Sequence, residues 1–462
     1  MVTENASKSS ESQKWPQILA ILIVSITSLN NGAMFSWTSP FMLTVTEDKV
    51  NYNITIEEAS YFTVFPPLGI LTASLAFFNL NDLIGRKWTL MVLTLPQFTF
   101  WITTIFARNV YVFYFARFVS GMSDAAMFFS LPVYIGEIST PKVRGTWGNL
   151  QTFAYYLGTF SINSIGSFLG VKQTAYIFLS LPVLFLVGFS MMPESPYYYI
   201  MKGEHAEAKK SIRWFLKKDI VEEEFLQTKL DVERQISESG TWKDLFYIRS
   251  NRKALLAAVF LRYAQHMAGL TVLQTYTQII FARSGGSLSP QISAIIYSGL
   301  LCGFNPMSGL LLEKVGRRKS FMASCFFCAF ASLVEAIYFY LNDNVTSVNM
   351  DSVRWIPLCG VVGWIIFFSV GLSSVPTLML GELFSASIKT KGLCVTNICF
   401  ALSSFFHTYL FHLLSTYVGM YCPFLVYSIV SLANTALTLW IIPETRGRTL
   451  EQIQQELKSK GA

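Results

Sequence analysis

The sequence predicts an all-α polytopic membrane protein, with twelve spanning helices in two pseudo-symmetric six-helix bundles and a short helical segment between them. Three observations lead there. Charged residues make up only 14% of a 462-residue chain that is 52% hydrophobic and 15% aromatic, whereas soluble domains carry roughly a quarter. Twelve apolar stretches are long enough to cross about 30 Å of hydrocarbon, which takes roughly 20 helical residues. Three motifs recur in the same order in both halves.

The spans fall near residues 18–41, 61–80, 88–107, 111–135, 146–170, 174–192, 254–281, 290–312, 320–341, 355–381, 392–416 and 421–442. Continuous runs of this length exclude the short alternating segments of a barrel. Gly, Ser and Pro inside several spans are tolerated where the freed polar groups face protein or water. The organisation is then a tail over 1–17, a bundle over 18–192, a linker over 193–253, a second bundle over 254–442 and a tail over 443–462. The linker alternates apolar residues with Lys and Glu in AEAKKSIRWFLKKD and EEEFLQTKLDVERQI, which predicts short amphipathic helices.

Lys and Arg set the orientation. With the N-terminus inside, inner segments hold 28 of the 35 basic residues and outer loops hold five, Lys49, Arg108, Lys172, Arg283 and Arg354. This bias places both termini in the cytoplasm. The sequons at Asn53 and Asn344 then lie outside as glycosylation candidates, and the one at Asn5 lies inside. The net charge of +7 is spread in short clusters between spans, unlike the gathered basic face of a nucleic-acid binder. The polar, acid-bearing first residues are not a cleavable signal peptide.

Seven cysteines show no paired ligand spacing and read as small apolar fillers. No metal or cofactor site is expected, and no hydrolase or transferase constellation is present. The linker lacks a phosphate-binding glycine motif, which excludes pumping by ATP.

The repeats sit at the inner edge. Asn81-Asp82-Leu83-Ile84-Gly85-Arg86-Lys87 matches Leu312-Glu313-Lys314-Val315-Gly316-Arg317-Arg318. Tyr134-Ile135-Gly136-Glu137-Ile138 matches Met379-Leu380-Gly381-Glu382-Leu383, and Pro193-Glu194-Ser195 matches Pro443-Glu444-Thr445. Such a six-span repeat marks a transporter with a route between two bundles. Arg86 and Arg317 can face Glu137 and Glu382, with Asp82, Glu313, Arg144, Glu194, Glu444 and Arg446 in the same belt. The expectation is that these ion pairs gate the cytoplasmic side; the alternative is that the bases only set topology and the acids neutralise them.

These stretches, with ARFVSG in span four, PVYIGEISTPKVRG, PESP, QHMAG in span seven, GELF and PETRGRTLEQ, resemble the sugar porter family of the major facilitator superfamily, which includes the facilitative glucose transporters. TSP at 38–40 and the short N-terminus resemble the insect trehalose-transporter subgroup. The resemblance covers about residues 18–455. It implies alternating access by rocking bundles, a sugar bound near mid-membrane, and linker helices bracing the inner face.

It also implies site residues. The family's first glutamine in span seven falls on Gln265, its second on His266 and the following asparagine on Thr271. The span-five glutamine falls on Thr152, next to Gln151; the span-ten tryptophan falls on Thr377, and the span-eleven Asn–Trp pair on Phe400 and Ala401. Gln265 and the aromatic Tyr276 are kept. A sugar needs donors and acceptors to replace its water, so either Gln151, Gln274 and Tyr155 or Tyr156 serve a wider disaccharide cavity, or the cavity favours a less polar solute. His266 has three readings: a bond to substrate, packing, or proton coupling.

Three buried charges stand out. Arg262 lies inside span seven, while Arg117 and Asp124 are two turns apart on span four. An intramembrane carboxylate is expected to be paired, protonated or facing water. Asp124 therefore reads as a partner of Arg117 or Arg262, or as a coupling group. Glu335 in span nine reads as reaching solvent or a local partner. Proton-coupled members of the family carry an acid in span one; here span one has none, which argues for uniport. Gly371 and Pro376 predict a bend in span ten.

The leading expectation is facilitated diffusion of a hexose or trehalose across the plasma membrane by a monomer. Proton–sugar symport and a non-transporting sugar sensor are the alternatives.

Overall fold

The computed structural model describes residues 13–77, 80–237, 240–286, 288–307, 315–345, 350–385 and 387–445. Glu313 and Arg446 of the expected belt, and the sequon at Asn5, lie outside them. The described residues form helices, turns and loops without a strand.

Spans four, nine and eleven run up to about a turn past their apolar cores, because polar helix ends reach beyond the hydrocarbon. Span four is Val110–Ile138, span nine Arg317–Asn344, span eleven Lys389–Tyr417 and span twelve Tyr421–Ile441. Spans five and six are Leu150–Gly166 and Val171–Ser190. Span eight is a helix over Pro290–Phe304 followed by a 3₁₀ turn at Asn305–Met307. Nine stretches among the described residues are long and apolar enough to cross a membrane. Large apolar side chains such as Val187, Phe330 and Trp440 point outward, as lipid-facing surface requires.

Other spans are interrupted. Span one breaks between Trp15–Phe35 and Thr38–Glu47. Span two begins with a 3₁₀ turn before Phe65–Phe77, and span three is split into Arg86–Val92 and Thr94–Phe106. Span seven is in three pieces, Arg249–Met267, Leu270–Thr275 and Thr277–Ser284. Span ten breaks between Ile356–Val370 and Val375–Leu383, at the Gly371 and Pro376 signal.

Between the halves, helices run over Pro196–Met201, His205–Leu216, Glu222–Ser237 and Trp242–Tyr247. They lie across one end of the bundles, the linker face. They touch the first half where Gln17 Nε2, on the span-one helix, donates to the Phe215 carbonyl. They touch the second half where the Gly240 N–H donates to the Ser387 carbonyl at 2.9 Å. Asn53 and Asn344 are exposed at the opposite, far face.

With no water to drive apolar association inside lipid, helices pack through close backbone approach. Spans one and five cross where a Cβ on Gly32 would sit 1.9 Å from the Tyr155 carbonyl oxygen and one on Gly158 1.8 Å from that of Leu29. Spans two and four cross likewise, where a Cβ on Gly69 would sit 2.0 Å from the Phe118 carbonyl oxygen and one on Gly121 1.9 Å from that of Pro66. Gly158→Ala should therefore force the crossing apart and destabilise the protein by roughly 1–3 kcal/mol. Gly136→Ala, whose Cβ would meet nothing within 4 Å, should leave it unchanged; thermal unfolding of both variants in detergent checks this.

Candidate functional site at the meeting of the two bundles

Span seven ends its first helix at Met267 because Gly269 takes a left-handed φ of +100°. The interruption frees the Ala268 carbonyl, which accepts the Trp364 indole N–H at 2.8 Å. It also brings His266 Nδ1 within 2.7 Å of Thr271 Oγ1. Gln265 spans a second gap: its Nε2 donates at 3.0 Å to the carbonyl of Leu372, inside the break of span ten. The two interrupted helices are thus tied break to break.

Around this tie the halves of the chain meet. Arg262 Nη1 donates to Gln265 Oε1 at 3.1 Å, and its guanidinium lies 5.4 Å from the centre of the Phe400 ring. Phe400 packs on His266 at 4.4 Å and on Phe128 of span four at 5.4 Å. The Tyr156 hydroxyl of span five is 3.3 Å from Ser373 Oγ, to which Asn305 Nδ2 also donates.

Many polar atoms here are buried and without a protein partner: Arg262 Nε, His266 Nε2, Gln151 Oε1, Gln274 Nε2, the Tyr297 and Tyr427 hydroxyls and both ring nitrogens of His407. Each unmatched buried group costs about 1–3 kcal/mol, so the cluster is built for water or a polyhydroxylated ligand. A small cavity behind the span-seven break, lined by Ala268, Glu335, Trp364 and Tyr427 among others, has room for about one water molecule.

Of the residues expected to bind substrate, Gln265, His266, Thr271 and Gln274 are buried together on span seven. Gln151 and Thr152 are half-buried. Thr377 is exposed, because the break over residues 371–374 turns its helix away, and it is not part of the cluster. Tyr276 is buried, but its hydroxyl lies 2.9 Å from Thr63 Oγ1 and 3.2 Å from the Ser60 carbonyl, so it closes the far face. The sequence reading missed Asn305, Ser373 and His407; the run Gly371–Pro376 and the seven-residue spacing of Phe400 and His407 on one helix were the available signals.

The buried charges differ from expectation. Arg117 does not pair with Asp124. Its guanidinium donates to the carbonyls of Phe62 at 3.0 Å, Phe35 at 3.2 Å and Met34, capping the peptide oxygens freed where span one breaks. Two helical turns rise about 10 Å, and Arg117 is held by spans one and two instead. Both oxygens of Asp124 and both of Glu335 are buried without a side-chain partner among the described residues, so Asp124 does not reach Arg262 either, and Glu335 packs against the backbone at Gly360 rather than in an ion pair.

The linker-face belt forms twice. Arg86 holds Glu137 through Nε and Nη2 at 3.0–3.1 Å and Asp82 through Nη1 at 3.1 Å. Glu194 accepts the N–H groups of Arg86 at 3.0 Å, Lys87 at 2.9 Å and Ser195 at 2.7 Å, and Ser195 Oγ donates to Glu137. Burial keeps the Glu194 carboxyl above its usual range even so. In the second half Arg317 lies 3.4 Å from Glu382, and Glu444 accepts the N–H groups of Arg317 at 3.1 Å and Arg318 at 3.2 Å. Gly85 and Gly316 both take φ of +96° to aim these N–H groups. Arg144 donates to the Gly136 and Ser139 carbonyls.

Each of these contacts stays within one half. Among the described residues the belt stiffens each bundle and does not bolt the two together, the arrangement the expected gate takes when the linker side is open. The reason is geometric: Arg86 and Arg317 open their helices beside the ends of neighbouring spans of the same half. The side-chain bonds that join the bundles lie at mid-depth and at the far face, where Ser60 Oγ meets His412 Nε2 at 3.2 Å and Gln278 Nε2 donates to Ser167 Oγ at 2.9 Å. The far face is closed.

Residues 15–457 match the family described as sugar (and other) transporter. The chain belongs to this sugar porter family of the major facilitator superfamily. It is a multi-pass membrane carrier. It is 28% identical over 451 residues to the facilitated trehalose transporter Tret1 of Polypedilum vanderplanki, covering 96% of this chain and 89% of that protein, and 28% identical over 447 residues to that of Bombyx mori, covering 96% and 87%. Against the Drosophila virilis protein of the same name it spans about half the relative's length, 49%. Among solved structures it resembles the proton:xylose symporter XylE bound to 6-bromo-6-deoxy-D-glucose, with a TM-score of 0.76 at 17% identity over 96% of this chain and 100% of that one. The inward open xylose transporter XylE from E. coli aligns with a TM-score of 0.74 at 16% identity over 94% and 98%.

Tyr276→Phe removes two contacts that close the far face, each contributing about 0.5–1.5 kcal/mol. Hydrogen exchange over residues 56–64 and 276–284 should rise in this variant, and stay unchanged over the Arg86–Glu137 belt.

Proposed function

We propose that this carrier moves a sugar, hexose or trehalose, across the plasma membrane by alternating access, with the linker face and both termini in the cytoplasm. The observation that carries this reading is the set of unmatched buried donors and acceptors around the break of span seven, where spans four and five of one bundle meet spans seven, eight, ten and eleven of the other. A sugar's hydroxyls replace water there at little cost, and the rigid halves rock about it. Closure at the far face with the linker face free of cross-bundle ion pairs among the described residues corresponds to a carrier turned toward the cytoplasm. Asn53 and Asn344 lie on the opposite side, where glycosylation occurs.

Two driving modes have footing. Facilitated diffusion is favoured by span one, whose Asn31 forms a neutral network with Ser123 and Gln97. Proton coupling is favoured by Asp124, and more strongly: its carboxyl is buried mid-span with both oxygens unmatched, the kind of intramembrane acid that serves proton relays.

Uptake of radiolabelled glucose, fructose and trehalose into proteoliposomes tests both modes. Saturable flux is expected, and its absence for every sugar overturns the carrier reading. Accumulation driven by an imposed proton gradient, abolished by an ionophore and by Asp124→Asn, supports coupling; flux indifferent to both leaves facilitated diffusion.

Within the same assay, Gln265→Ala should raise KM by about tenfold, the loss of one well-formed hydrogen bond. An unchanged KM would remove Gln265 from the sugar site.

A further inference from the structure

Arg262 is a cation at the meeting of the bundles, 7% exposed, and no carboxylate among the described residues pairs with it. Its Nη1 is satisfied by the neutral amide of Gln265, its face lies over Phe400, and its Nε is buried with no acceptor. Neither of the intramembrane carboxyls neutralises it: Asp124 on span four and Glu335 on span nine both have unmatched oxygens. Arg117, the other buried guanidinium at this depth, is fully engaged by backbone carbonyls of spans one and two.

A buried ion is stable only when its lost hydration is replaced, and attraction to one aromatic face replaces a small part of it. Arg262 is therefore short of an acceptor of opposite charge. A guanidinium offers a planar edge that matches a carboxylate through parallel N–H donors. Around it stand groups suited to hydroxyls: Gln265, Tyr156, Ser373 and Asn305.

We propose that the polar cluster around Arg262 binds a sugar bearing a carboxylate, held by the Nε side of Arg262, in preference to the neutral sugar of the same shape. This rests on the sugar-carrier reading and narrows its substrate class. The carboxylate supplies the missing counter-charge, while its hydroxyls exchange with the polar groups of spans five, seven, eight and ten. Gln265, released from Arg262 as the anion enters, is freed for the sugar ring.

The test is competition against radiolabelled glucose uptake in proteoliposomes, comparing glucuronate with glucuronamide, which differ only in carboxylate against neutral amide. Glucuronate is expected to inhibit at about tenfold lower concentration, as a charge-assisted bond replaces a neutral one. Arg262→Gln should bring the two inhibitors to equal potency, and Arg262→Lys should keep part of the difference because the charge remains without the fork. Equal potency in the unaltered protein overturns the proposal, as does a preference that survives in Arg262→Gln. If that variant does not fold, by size-exclusion profile, the unaltered protein and Arg262→Lys decide the matter. Glucose uptake with no preference for the acid sinks this proposal alone, whereas no saturable uptake of any sugar sinks the carrier reading with it.

Discussion

A helix that breaks inside a bilayer exposes peptide groups where no water can satisfy them, and the structure depends on how those groups find partners. Arg117 takes the carbonyls freed in span one. Trp364 takes that of Ala268 in span seven, and Gln265 takes that of Leu372 in span ten. Each of these repairs is a side chain from another segment, so each of these breaks is also a joint. The joints converge on the depth where the two bundles touch, which makes the weakest backbone in the molecule coincide with its polar centre.

The linker face works by the opposite logic. There the helices after Gly85 and Gly316 begin with free N–H groups, and Glu194 and Glu444 accept them while Arg86 and Arg317 hold Glu137 and Glu382. Buried ion pairs of this kind are costly to break once one partner is removed. Confined within each half, they let a bundle move as one body. Side-chain bonds across the halves are fewer and mostly neutral, with Tyr276, Ser60, His412 and Gln278 at the far end. Rigid halves with a weak seam are the physical requirement for rocking.

The cluster itself is poorly satisfied. Unmatched atoms on His266, His407, Gln274, Arg262 and Asp124 would be a liability in a static core. In a carrier they are hydrogen-bonding capacity held for a solute. Phe400 contributes shape: it covers Arg262 and His266 and touches Phe128, so it sits on the seam itself.

The number of spans, the two halves, the linker helices and the pairing of Arg86 with Glu137 and Arg317 with Glu382 were legible in the sequence, because apolar run length, amphipathic period and repeated motifs are local properties. So was the grouping of Gln265, His266, Thr271 and Gln274 on span seven, though not the breaks in that helix. Tertiary structure alone decided which of these atoms are already used: Gln265 by a carbonyl 107 residues away, the Tyr276 hydroxyl by Thr63 213 residues away, and Arg117 by span one rather than by Asp124. It alone moved Thr377 out of the cluster and placed the clamp at the far face. The reason is that spacing along a helix fixes which side chains share a face, whereas the partner a buried polar group finds depends on which other helix, and which break in it, is packed against that face.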